Sequence, residues 1–329
     1  MRALVTGAAG FVGSTLSDKL LEDPQNSVIG IDSFADYYDV GLKRLNIVSA
    51  SQNDRYELVE GDILEQPLEA LLGDVDVVFH QAGQPGVRKS WGSDFGVYAR
   101  SNIEVTQALL EAAKAVGTLK RFVYASSSSV YGDAERYPTT ELDRPQPRSP
   151  YGVTKLAAEH LCSLYAKNFG VPTVSLRYFT VYGPRQRPDM AFNIFISKML
   201  RDGEISVFGD GEQIREFTHV QDIVRANVLA SQADVETGTV VNLSGGASVT
   251  VNEVFALLEE IHGSAPRVNY GSPVPGDVRR TGGSTARASE LLGWAPAVDL
   301  RDGLESEYRW MRELNLSRRL DASFEQLAK

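Results

Sequence analysis

Tyr151 and Lys155 stand four residues apart in Tyr151-Gly152-Val153-Thr154-Lys155, so on a helix their side chains share a face. A free tyrosine ionises near pH ~10 and is a poor base at neutrality. A neighbouring ammonium favours the phenolate and lowers that value, which would let the phenol take a proton from an alcohol. Upstream, Ser126-Ser127-Ser128-Ser129 follow the apolar run Arg121-Phe122-Val123-Tyr124-Ala125. A hydroxyl delivered there can bond a substrate hydroxyl and relay its proton. Gly7, Gly10 and Gly13 follow Ala3-Leu4-Val5. Glycines so placed permit a tight turn, a close backbone approach to a pyrophosphate, and packing of the next helix on its strand. The helix N-terminus then offers free N–H groups to phosphates. Asp32 ends the next apolar run, Val28-Ile29-Gly30-Ile31. A carboxylate there accepts from ribose hydroxyls and repels a 2′-phosphate, which favours NAD over NADP. The positive nicotinamide ring of that cofactor would add to the pull on Tyr151.

Alternating elements must position these groups. Strands are expected at Ala3–Val5, Val28–Ile31, Tyr56–Glu60, Val75–Phe79, Arg121–Ala125 and Thr173–Arg177. Helices are expected over Ser14–Leu21, Asn102–Val116 and Tyr151–Phe169. Strand–helix alternation predicts an α/β fold, a Rossmann-type doubly wound parallel sheet, with ligands outside the carboxyl ends of the strands. After Tyr178 the pattern changes. Gly183–Pro188 reads as a loop, Asn193–Arg201 and Thr250–His262 as helices, Gly203–Gly211 as turn-rich, and 266–283 as a loop or irregular strand. The expected organisation is a dinucleotide-binding domain over 1–179 plus about 214–246, which takes in the late strand Val240–Leu243. A smaller mixed α/β C-terminal substrate domain over 180–213 and about 247–315 interleaves with it.

The chain has 33 Lys+Arg against 43 Asp+Glu, a formal charge of −10, which argues against a nucleic-acid-binding face. Its single cysteine, Cys162, excludes an intrachain disulfide and reads as a small buried side chain. The four histidines, His80, His160, His219 and His262, are scattered, so no metal site is expected. No apolar run approaches the ~20 residues of a membrane helix. Met1–Gly7 reaches glycine too soon for a secretory signal. A cytoplasmic location with no membrane partner is expected.

Taken together, the glycine loop, the strand-end serines and the Tyr-x-x-x-Lys resemble the extended short-chain dehydrogenases/reductases, specifically the nucleotide-sugar epimerase/dehydratase family. The resemblance runs from Thr6-Gly7 to Leu291-Leu292-Gly293-Trp294. It implies NAD as cofactor and Ser127, Tyr151 and Lys155 as catalytic residues. Tyr151 would be the base, Ser127 would assist at the sugar hydroxyl, and Lys155 would hold the nicotinamide ribose. It also implies cofactor contacts from Gly7, Gly10, Phe11, Val12, Asp32, Ser33, Lys43, Asp62, Ile63, Gln81, Ala82, Gln84, Asn102 and Tyr178. A homodimer built on the Asn102–Val116 and Tyr151–Phe169 helices is implied as well.

Family members share oxidation at sugar C4 and diverge afterwards. Related 4,6-dehydratases carry an Asp-Glu pair just after the catalytic Ser/Thr, where this chain has Ser128 and Ser129. Decarboxylases usually carry a Glu where Ser129 stands. That leaves 4-epimerisation through a transient 4-keto sugar. Thr180-Val181-Tyr182-Gly183-Pro184-Arg185-Gln186-Arg187-Pro188-Asp189-Met190 resembles the UDP-glucuronate 4-epimerases. By that resemblance Arg187 would grip the C6 carboxylate in a bidentate fork, helped by Thr180, with Arg185 a nearby rival. Arg88, in Gly86-Val87-Arg88-Lys89-Ser90, would line the sugar pocket, while Arg215 and Arg279 would hold the diphosphate, with Arg280 adjoining. The expected reaction is conversion of UDP-glucuronate to UDP-galacturonate. Alternatives are a UDP-glucose or UDP-N-acetylglucosamine 4-epimerase, a UDP-glucuronate decarboxylase, and a non-catalytic NAD-binding scaffold on the same fold.

Overall fold

The computed structural model of the chain describes residues 1–245, 248–272 and 280–327, with side chains through residue 316. Its strands are β1 (Arg2–Thr6), β2 (Ser27–Asp32), β3 (Tyr56–Glu60), β4 (Val77–His80), β5 (Arg121–Ser127), β6 (Thr173–Tyr178) and β7 (Val181–Tyr182). They continue with β8 (Glu204–Phe208), β9 (Ile214–Glu216), β10 (Thr218–His219), β11 (Thr239–Leu243), β12 (Ser248–Thr250) and β13 (Arg267–Gly271). Seven of them form one sheet in the order β11-β6-β5-β4-β1-β2-β3. Every pair in it is parallel. A parallel sheet needs cover on both faces, and β1, β4, β5 and β6 are accordingly buried nearly throughout.

One face of the sheet packs on helices Phe11–Leu21 and Val220–Gln232, through Leu16, Leu20, Ile223 and Val224. The other packs on Val105–Val116 and Pro150–Phe169, through Leu109, Leu110, Ala158 and Cys162. Cys162 is fully buried, as its place on the helix predicts. A separate core joins Phe192, Ile196, Ile205, Val254, Leu258 and Leu304. It lies among helices Ala191–Met199 and Val251–His262, strand β8 and the start of the long helix Leu300–Leu327.

The order reverses at β1, with β2 on one side and β4 on the other. Loops leaving the two neighbours diverge there and open a crevice at the strand ends. The glycine loop leaves β1 at this point and Gln81-Ala82 leave β4. His80 ties the two together: its ring nitrogens lie 2.8 Å from Thr6 Oγ1 and 2.9 Å from Thr106 Oγ1. Burial pushes its pKa down to about 3, so the imidazole stays neutral.

Three expectations need correction. The Gly203–Gly211 stretch holds strand β8, paired in parallel with β13. The helix expected from Asn102 is preceded by helical turns from Phe95, and Ala99–Glu104 is π-helical. The fourth strand starts at Val77 rather than Val75. Among the described residues no helix is long and apolar enough to cross a membrane.

Candidate active site

A cleft of about 920 Å³ runs along the carboxyl ends of β1, β2, β4, β5 and β6 and on to β8 and β9. At one end the helix Phe11–Leu21 starts from Gly10 with no side-chain cap, so its first N–H groups are left for a ligand. A Cβ at Gly13 would overlap the Gly7 carbonyl oxygen, so this turn admits only glycine. Asp32 is buried beside the loop, its carboxylate accepting from Ala9 N at 3.0 Å and Phe34 N at 2.8 Å. Lys43 Nζ lies 3.8 Å from Asp32. Ser33, Asp62 and Ile63 line the same end. The Asp62 carboxylate is itself engaged, accepting from Leu64 N at 2.9 Å and Arg100 at 2.7 Å. An anion-accepting helix start, a glycine cradle and a buried carboxylate together fit a dinucleotide.

In the middle, Ala82 N donates to Thr6 Oγ1 at 3.0 Å. Gln81 Nε2 donates to Asn227 Oδ1 at 2.9 Å, and the Tyr178 hydroxyl donates to Gln81 Oε1 at 3.0 Å. Asn227 joins the two yet escapes sequence reading. Asn102 is buried behind the Gln81–Gln84 loop. From the π-helical turn it accepts from Gln84 N at 2.7 Å and donates to Gln84 O at 3.1 Å and Thr154 Oγ1 at 2.9 Å. It shapes the Gln81–Gln84 loop from behind, and π turns often serve such positioning.

The next part of the cleft is built by the helix Pro150–Phe169. Ser149 caps it by accepting from Gly152 N at 3.1 Å, and Pro150 takes the first turn. Gly152 lets the helix start approach the serine turn, since a Cβ there would sit 2.6 Å from Ser129 O. Of the four serines, Ser126 is spent on Glu159, donating at 2.6 Å. Ser127 lines the cleft with Tyr151 and accepts from Ser129 N at 3.1 Å. The Tyr151 ring meets Tyr98 edge-on, 6.3 Å between centroids. Lys155 Nζ sits 4.8 Å from the Tyr124 ring centroid and makes no hydrogen bond to a described residue.

Burial raises the Tyr151 phenol above its usual 10, while Ser127 and the Arg187 cation pull it down. The expected lowering by Lys155 is therefore not met in the chain alone, because burial outweighs the neighbouring charges. Burial also pushes Lys155 down to about 8 from 10.5. Between those values the unfolded chain binds more protons, so stability rises with pH from about 8 to 10.5. Below about 8 the cost of burying the ammonium is fully present. Lys155→Met, stripped of ligand, is thus expected to unfold at higher urea than wild type at about pH 7, the gap narrowing toward about pH 10.5. A gap constant across that range would contradict this.

Thr180, Arg187, Arg88 and Arg215 line the far end. Arg88 stacks on Phe208, 4.7 Å from its ring centroid. Arg215 sits on β9, its NH1 donating to Ile214 O at 2.9 Å. Arg185 turns away from the cleft, with φ of 71° and a 2.7 Å ion pair to Asp18. That leaves Arg187 as the cleft arginine of the pair. Arg280 packs over Tyr137, and Arg279 lies outside the described residues. Among the described residues no cluster could hold a metal ion.

The chain matches the NAD dependent epimerase/dehydratase family over residues 3–244. It is 41% identical to an uncharacterized UDP-glucose epimerase, YtcB, of Bacillus subtilis (strain 168), over 95% of this chain and 99% of the relative. It is 36% identical to the UDP-glucuronate 4-epimerase of Thermodesulfobacterium geofontis (strain OPF15), over 94% of this chain and 96% of that one. Among solved structures it is similar to the UDP-glucuronic acid 4-epimerase of Bacillus cereus in complex with UDP-glucuronic acid and NAD. That similarity has a TM-score of 0.92 and 47% identity, covering 95% of this chain and 100% of the other.

Proposed function

This chain belongs to the NAD dependent epimerase/dehydratase family, and on that premise we propose that it inverts C4 of UDP-glucuronate to give UDP-galacturonate through a transient 4-keto sugar. The observation that carries this reading is a single cleft lined by the glycine loop, by Ser127, Tyr151 and Lys155, and by Arg187. Bound NAD would supply the acceptor for the C4 hydrogen and its electron pair, together with a ring cation beside Tyr151. Gly7, Gly10, Phe11 and Val12 hold its pyrophosphate. Asp32, with Ser33 and Lys43, takes the adenosine ribose, Asp62 and Ile63 border the adenine, and Lys155 takes the other ribose. Gln81, Ala82, Gln84 and Tyr178 line its middle. Tyr151 accepts the O4 proton, relayed by Ser127, and gives it back after the ring has turned. Arg215 and Arg279 hold the diphosphate, and Arg88 borders the sugar end.

Oxidation at C4 of a glucuronate makes a β-keto acid, which loses CO2 once the C–CO2 bond aligns with the carbonyl π system. Arg187, helped by Thr180, holds the carboxylate out of that alignment. Arg187→Gln is therefore expected to lower kcat/KM on UDP-glucuronate by about 30-fold or more and to leak a UDP-pentose, read by mass. Unchanged turnover would reject the clamp.

Residues 1–179 plus about 214–246 form the cofactor unit in this reading, and 180–213 with about 247–315 the nucleotide-sugar unit. The reading includes a homodimer, supported by exposed Val153, Leu164 and Phe169 on the helix Pro150–Phe169, and a cytoplasmic location. The deciding experiment incubates the protein with UDP-glucuronate and no added NAD, and follows products by NMR. UDP-galacturonate is expected; recovery of starting material alone from folded, NAD-loaded protein rejects the substrate. A second reading, a UDP-glucose 4-epimerase, is favoured by the similarity to the Bacillus subtilis relative. Faster turnover of UDP-glucose than of UDP-glucuronate would establish it.

A further inference from the structure

Arg187 does not face the cleft alone. Its Nε donates to Asp189 Oδ1 at 2.9 Å and its NH2 to Oδ2 at 3.0 Å. The Tyr37 hydroxyl donates to the same Asp189 Oδ2 at 3.2 Å. Tyr37 comes from the loop after β2, 152 residues away, and its ring lies 6.0 Å from the Arg187 guanidinium carbon. Lys89 sits over that ring at 4.8 Å from its centroid. Arg187 is 19% exposed and Asp189 34%. A guanidinium carries five donors in a rigid plane. Asp189 occupies the Nε–NH2 edge, and NH1 makes no hydrogen bond to a described residue.

We infer that Asp189 and Tyr37 are positioning residues: they lock Arg187 by one edge, so that its other edge, NH1 with NH2, is presented to the carboxylate of the sugar. The inference rests on the uronate reading above and deepens it. An arginine fixed beforehand loses less freedom when the ligand arrives. Asp189 also offsets the arginine's charge, so selection depends on matching two parallel N–H groups rather than on net charge. A neutral CH2OH group offers one uncharged oxygen in place of two charged ones and cannot match two parallel N–H groups. Burial and the Asp189 carboxylate push the Tyr37 phenol up to about 12, so it remains a donor at working pH.

The test compares kcat and KM of the NAD-loaded enzyme for UDP-glucuronate and UDP-glucose in wild type, Asp189→Asn, Asp189→Glu and Tyr37→Phe. Asparagine cannot serve as a charged bidentate acceptor, so Asp189→Asn is expected to raise KM for UDP-glucuronate about tenfold with kcat within about threefold. The acidic-to-neutral ratio of kcat/KM should fall with it. Tyr37→Phe should shift the ratio the same way by about three- to fivefold, and Asp189→Glu should recover part of the loss. A ratio held within about twofold in Asp189→Asn, or a lower KM for UDP-glucuronate, overturns the inference. The lower KM would mark Asp189 as a competitor for Arg187. Should Asp189→Asn fail to fold, Tyr37→Phe decides by the same ratio. Wild type that does not turn over UDP-glucuronate brings down the uronate reading and this inference together. Wild type that does, with an unmoved ratio, brings down this inference only.

Discussion

Tyr151→Phe is expected to lower kcat on UDP-glucuronate by about 10²–10⁴-fold, the usual contribution of a general acid–base group. The change removes one hydroxyl and little else. The ring keeps its edge-on packing against Tyr98, and the helix keeps its Ser149 cap and its Gly152 approach to Ser129. Bound NAD, measured after denaturation, and UDP-sugar affinity, measured by calorimetry, should therefore stay near wild type. In the proposed reaction the lost hydroxyl is the one that takes the O4 proton, so the relay through Ser127 ends with it. Turnover within about threefold of wild type would move the base elsewhere.

The second large effect is on stability. Glu159 and Arg177 form a buried bidentate pair next to Ser126, on the strand that delivers Ser127. Arg177 Nε donates to Oε2 at 2.9 Å and NH2 to Oε1 at 2.6 Å. NH1 donates to the Tyr131 hydroxyl at 2.6 Å, which donates to Asn242 Oδ1 at 2.7 Å. The network ties the helix Pro150–Phe169 to β5, β6 and β11. Glu159→Ala would strand a guanidinium that is only 5% exposed. The expected loss is about 3–5 kcal/mol, read as a lower urea midpoint and Tm. Glu159→Gln should lose less, since it keeps the side chain's shape. An unchanged midpoint in Glu159→Ala would show that water reaches Arg177 and the network contributes little.

Groups fixed by local offsets are legible in the sequence. Tyr151 and Lys155 need only a helical spacing, and the glycine turn and Asp32 need only a strand–turn–helix followed by a strand. What depends on distant partners is not legible. Asn227 reaches Gln81 across 146 residues, and Tyr37 reaches Asp189 across 152. Asn102 is expected to be a cofactor contact by resemblance alone, and its bonds to Gln84 and Thr154, made from a π-helical turn, are not legible in the sequence. Arg185 and Arg187 are alike in composition, and only the left-handed backbone at Arg185 separates their directions. Strand β8 has its alternation in plain view, with Ile205 and Val207 inward, but glycines on both flanks disguise it as a turn.

The place of β11 at the edge of the sheet has a consequence for biosynthesis. It covers β6, yet it leaves the ribosome about 65 residues later. At ~5–20 residues per second the nascent polypeptide exposes the outer N–H and C=O row of β6 for roughly 3–13 s. An open strand edge of that kind can template pairing with a neighbouring chain. Between codons 178 and 243, therefore, the outer row of β6 has no strand of its own chain in place to pair with.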